Sequence, residues 1–120
     1  MAEHNVTGKK GEELAADYLQ NKGYEILETN WRFRNLEADI IATHNDTLVI
    51  AEVKTRSTAF FGEPETFVTR QKQKNLIQAA HEYIERHQLD LEVRFDIISV
   101  VMNNKTPQVN HIESAFYPLV

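Results

Sequence analysis

Asp39 and, after twelve intervening residues, Glu52-Val53-Lys54 give this chain two carboxylates and an ammonium at a spacing that suits phosphodiester hydrolysis. Two carboxylates can fix a hard divalent cation through oxygen while leaving water in its shell. Such a cation acidifies a bound water and offsets the charge that builds on phosphorus, and a nearby lysine can orient that water and neutralise the transition state. Glu12 is the further acid that could join an outer metal shell or hold a second ion. The D-x₁₂-E-x-K pattern is common by itself. Its weight comes from where the charges sit. Leu48-Val49-Ile50-Ala51 precedes Glu52 and reads as an interior strand, where unpaired charges are expensive. Alternation puts Glu52 and Lys54 on one face, with Ala51 and Val53 on the other. The competing reading is an edge strand whose Glu52 and Lys54 form a solvated pair worth about 0–1 kcal/mol.

The elements that must position these groups can be read in order. Residues 1–6 read as a loose leader, and Thr7 as the cap of a helix running to Lys22 and closed by Gly23. Leu14, Ala15, Tyr18 and Leu19 form the apolar stripe of that helix. Glu12 borders it and Glu13 faces water; Glu12 also suits a helix N-terminus with no further role. Tyr24–Phe33 and Leu36–Thr43 read as strands, the second with Leu36, Ala38, Ile40 and Ala42 on one face and Glu37, Asp39 and Ile41 on the other. His44-Asn45-Asp46 turns the chain antiparallel into Thr47–Lys54. A loop over 55–66 holds Phe60 and Phe61, which either fold back on the core or stack on a nucleic acid. Thr69 caps a helix to His87. Arg70, Lys72 and Lys74 in its first turns oppose the helix dipole, which suits a phosphate site or a solvated face balanced by Glu63 and Glu65. Strands over Glu92–Met102 and Val109–Phe116 follow, with Asp96 as a pairing acid for Arg94 or Arg56; His44 falls in a turn and His111 near a strand end, both without an evident partner. The order is one helix, three strands, one helix, two strands.

With 120 residues the chain is a single domain, 1–120. No cysteine is present, which excludes disulfides, thiolate catalysis and cysteine-ligated zinc, and favours Mg²⁺ or Mn²⁺ for any metal. His81 and His87 are six apart on a helix and so point away from each other, unlike the i, i+4 pair of zinc proteases. The N-terminus lacks a signal pattern and no apolar run is long enough to cross a membrane, so a cytoplasmic protein is expected. Net charge is −5, unlike an indiscriminate nucleic-acid binder. Ten of thirteen basic residues nevertheless fall within 1–75, and Arg32, Arg34, Arg56, Arg70, Lys72 and Lys74 are candidates to touch nucleic acid.

Gly11-Glu12-Glu13-Leu14-Ala15, Tyr18-Leu19, Gly23-Tyr24, Ile26-Leu27, Asn30-Trp31-Arg32, Glu37-Ala38-Asp39-Ile40-Ile41, Glu52-Val53-Lys54-Thr55-Arg56 and Arg94-Phe95-Asp96 together resemble the YraN-like family of small bacterial predicted endonucleases. The resemblance runs from about Gly8 to Phe116. It implies an α/β (mixed α+β) fold of the PD-(D/E)xK nucleases, a restriction-endonuclease-like αβββαβ core similar to archaeal Holliday-junction resolvases. It also implies Asp39 and Glu52 as ligands of Mg²⁺ or Mn²⁺, Lys54 as catalytic lysine and Glu12 as the additional acid. The expected substrate is branched or structured nucleic acid rather than a particular sequence, with DNA favoured over RNA and the choice left open. Resolvases of this fold act as dimers because two strands must be cut, which makes a homodimer one option here. Leu36 and Ala38 stand where the family usually has Gly and Ile. The other reading is a non-catalytic module, binding nucleic acid or protein on the same fold.

Overall fold

The computed structural model describes residues 2–56, 68–102 and 106–118. Helix α1 (Ala2–Asn21) leads into β1 (Glu25–Phe33), β2 (Leu36–His44) and β3 (Thr47–Arg56). Helix α2 (Arg70–His87), β4 (Glu92–Val101) and β5 (Gln108–Phe116) follow. The strands form one sheet in the order β1-β2-β3-β4-β5. Every neighbouring pair is antiparallel except β3 with β4, which α2 connects as a parallel crossover.

Helix ends follow local chemistry. Gly23, at φ 92°, donates its N–H to Gln20, and Tyr24 donates to Leu19, which closes α1 in a Schellman motif. Gln88 closes α2 in the same way, but at φ 52° without the freedom of glycine. The Thr69 hydroxyl accepts the Lys72 N–H and caps α2, as expected. Asn45 and Asp46 both take positive φ in the β2–β3 turn. One boundary differs from expectation: α1 begins at Ala2, so Thr7 lies within the helix rather than at its cap.

The sheet is covered on both faces. Ala15 and Leu19 of α1 pack with Ile40, Ala42, Val49, Ala51, Ile98 and Val100 on one side. Leu76, Ala80 and Tyr83 of α2 pack with Ile41, Leu48, Ile50, Phe95 and Ile97 on the other. Each fully buried aliphatic side chain contributes about 1.5–3 kcal/mol. Gly11 lets α1 settle closely on the sheet, because a Cβ there would run into the Thr55 side chain. Glu12 follows at once.

A second polar centre lies buried beneath α1. The Asp96 carboxylate accepts from Arg94 Nε and Nη2 (2.9 and 2.8 Å), from His111 Nε2 (2.6 Å) and from the Ser114 N–H (3.0 Å). Burial alone would raise this carboxyl. Its hydrogen bonds outweigh that and hold it below its ordinary value. Arg94 is therefore the partner of Asp96, and His111 sits inside the network rather than unpartnered near a strand end. Opposite Asp96 the β4–β5 register shifts and Ser114 takes φ 52°, so β5 bulges around the carboxylate.

Candidate metal and phosphodiester site

The site begins where the ladders lapse. Thr29 pairs with Ile40 and Trp31 with Ala38, with Asn30 and Asp39 between these pairs. Asn30 takes φ 52°, a left-handed conformation that Asn tolerates better than most residues. The β2–β3 pairing starts at Ile40–Ala51, one step short of setting Asp39 opposite Glu52. Instead, the Asp39 Oδ2 accepts the Val53 N–H at 2.8 Å. The expected alternation of β2 breaks here: Ala38 packs with Ile41 on the α2 side, not with Ile40 and Ala42. Asn30, Asp39 and Glu52 thus mark a notch across three strands.

Glu52 is only 7% exposed and its Oε1 has no hydrogen-bond partner. Burial, and then the neighbouring Asp39 carboxylate, push it up to about 7, while Lys72 and Lys54 pull it back. Lys72 Nζ, from the first turn of α2, lies 3.7 Å from Glu52 Oε2 and 3.9 Å from Glu37 Oε1. Arg32 joins the same chain of charge at 3.1 Å from Glu37 Oε2. Lys72 therefore has an acidic partner, so the cation that appeared misplaced on the helix end is compensated. Lys54 is half-buried and acts on Glu52 through its charge.

Glu12 is half-buried and Glu13 exposed, in line with their places on the helix. Burial, and then the Asp39 charge, raise the Glu12 carboxyl, while a hydrogen bond with Asn30 opposes the rise. Glu12 and Asn30 also line a groove of about 380 Å³ between α1 and β1. Glu12 stays outside the carboxylate pair: among the described residues no three His, Asp or Glu side chains gather as a metal-ligand set.

The other candidates divide. Arg70 and Lys74 line a separate groove of about 220 Å³ with Ile77 and Tyr117, so the three early cations of α2 do not converge. Arg34 lies in the β1–β2 turn, and Arg56 ends β3, exposed. Phe60, Phe61, Glu63 and Glu65 lie outside the described residues. Sequence reasoning missed Glu37 as the link between Arg32 and Lys72, and Asn30 as the partner of Glu12. An asparagine inside a strand was the available signal for the second, because strands disfavour it.

The donor set suits a hard cation. Asp39 and Glu52 offer only oxygen, one of them buried and without a partner, and Mg²⁺ binds through one or two carboxylates while keeping several waters.

Fold and site together define a small mixed α+β protein, a five-stranded mixed sheet between two helices with a carboxylate pair at a lapse in its ladder. Among the described residues, no helix is long and apolar enough to cross a membrane. The chain belongs to the uncharacterised protein family UPF0102, whose signature matches residues 11–100. It is 52% identical over 117 residues to a UPF0102 protein of Christiangramia forsetii, and 53% identical over 117 residues to one of Flavobacterium psychrophilum. A UPF0102 protein of Bacteroides thetaiotaomicron is 48% identical over 118 residues, and in all three pairs 98% of each chain is covered.

Proposed function

We propose that this protein is a metal-dependent endonuclease that hydrolyses phosphodiester bonds of branched or structured DNA, on a restriction-endonuclease-like core. The observation that carries the reading is Glu52: a buried carboxylate with a partnerless oxygen, set against Asp39 and flanked by Lys54 and Lys72. Asp39 and Glu52 would hold Mg²⁺ or Mn²⁺, which supplies Lewis-acid stabilisation and an acidified water when bound. The Val53 N–H fixes the Asp39 carboxylate in place. Lys54 would orient the attacking water or neutralise charge on the phosphate. Lys72, released from Glu52, would bind a phosphate oxygen at the N-terminus of α2, where free N–H groups assist. Glu12, tied to Asn30, would act from the α1 side on water or a second ion.

Incubation of the pure protein with Mg²⁺ or Mn²⁺ and linear, flapped and four-way DNA tests this. Cleavage is expected on structured substrates. Cleavage no greater than that of the Asp39→Ala, Glu52→Ala double variant would overturn it. A second reading, a non-catalytic module, is favoured by the way Glu12 stands apart from the pair and by the net charge of −5. Calorimetry with Mn²⁺ separates the two, because such a module has no need to bind metal through Asp39 and Glu52.

A further inference from the structure

Beyond the carboxylate pair, the end of the β1–β2 hairpin gathers aromatic rings and guanidinium groups on one surface. Trp31 and Phe33, two apart on the outermost strand, face the same side and stack with ring centroids 6.4 Å apart and planes 23° apart. Trp31 is held edge-on against Tyr83 at 5.7 Å. Phe33 is half-buried, and guanidiniums lie over its ring: Arg86 at 3.9 Å and Arg34 at 5.1 Å from the centroid. Trp31, Arg32, Phe33, Arg86 and His87 line a cavity of about 300 Å³. Arg32 is 76% exposed and Arg86 49%; they touch Glu37 and Glu82 respectively, and these ion pairs are open to exchange with solvent anions.

We infer that this cavity is a stacking site for an unpaired base of single-stranded nucleic acid. Rings and guanidinium planes receive bases of any identity, and surrounding arginines hold the phosphates that flank them. Neither a buried aliphatic partner nor a duplex groove needs that combination of preset aromatic planes and forked cations.

The position couples the site to the carboxylates. Phe33 pairs with Leu36, three residues before Asp39 on β2. That is about 10 Å of strand, or the rise of about three stacked nucleotides at about 3.4 Å each. The charge chain Arg32, Glu37, Lys72, Glu52 spans the same interval. A strand whose base docks on Phe33 would thus pass its backbone toward Asp39 and Glu52. The inference rests on the nucleic-acid reading above and deepens it: the substrate has an unpaired segment beside the bond presented to the carboxylates.

Trp31 is the sole tryptophan of the chain, so its emission reports on the site directly. The experiment titrates the full chain with oligothymidylate in EDTA, beside an abasic oligomer and a duplex of equal length. Expected are quenching by oligothymidylate alone and affinity for it at least about fivefold above that for the abasic oligomer. Phe33→Leu should lower oligothymidylate affinity by at least about fivefold, and Arg86→Gln, at an exposed position, should lower it in the same direction. Equal affinity for the abasic oligomer, stronger binding of the duplex, or unchanged affinity in both variants would overturn the inference. Base-dependent quenching without any cleavage would leave this site standing and remove the nuclease. Cleavage without base-dependent quenching would do the reverse.

Discussion

Glu52 carries a measurable conflict between stability and chemistry. Its carboxyl is raised from 4.5 to about 7 in the folded chain, so between those values the native state keeps a proton that the unfolded chain has released. Stability therefore falls as pH rises through that window, and the full penalty is present above pH 7. Glu52→Gln should raise stability at pH 8 in EDTA by about 1–3 kcal/mol, measured by urea unfolding. Lys72→Met should lower it under the same conditions, because it removes the cation 3.7 Å from an ionised Glu52. Asp96 has the opposite sign. Its folded carboxyl lies below its ordinary value of 3.8, so the stability it confers is present above that value and fades as pH falls below it. Asp96→Asn should cost about 3–5 kcal/mol at pH 7, since Arg94 and His111 would lose a buried partner, and the gap between parent and variant should narrow in acid. The residue types at the candidate site were legible because charge in an apolar strand is conspicuous. The partners were not: Lys72 reaches Glu52 only through the packing of α2, and His111 meets Asp96 only across the β4–β5 register.

At the scale of elements, local signals agreed with structure wherever a turn or cap is decided by a few neighbours. Gly23, Asn45-Asp46 and Thr69 sit where their backbone preferences place them. The break in β2 is invisible to alternation because it depends on Asn30 in one neighbouring strand and Val53 in the other. Thr7 alone does not mark the start of α1, since a threonine is tolerated inside a helix. Two predictions belong here. Gln88→Gly should stabilise the chain by about 0.5–1 kcal/mol in thermal unfolding, because only glycine takes φ 52° without a Cβ penalty. Gly11→Ala should destabilise it by about 1–3 kcal/mol by lifting α1 from Thr55. Thr55→Ala in the same chain should recover part of that loss, a coupling that a double-mutant cycle reads. No recovery would mean that the contact does not set the seat of α1.

For the molecule as a whole, occupancy of the carboxylate pair should be visible in global unfolding. Mn²⁺ at about a hundred times its dissociation constant should add about 2.7 kcal/mol to the parent, and nothing to Asp39→Ala, Glu52→Ala. Equal shifts in both would place the metal elsewhere. The outline of the molecule, three strands in a meander joined by a helical crossover to a final pair, could be read from the order of elements; the sheet order needed coordinates, because pattern does not say which edges meet. Those edges have a consequence for self-association. Both outermost strands depart from regular pairing geometry, β1 at Ile26–Glu28 and again at Asn30, β5 around Ser114. A kinked rim is a poor template for another chain's backbone, which discourages fibre-like growth through strand addition.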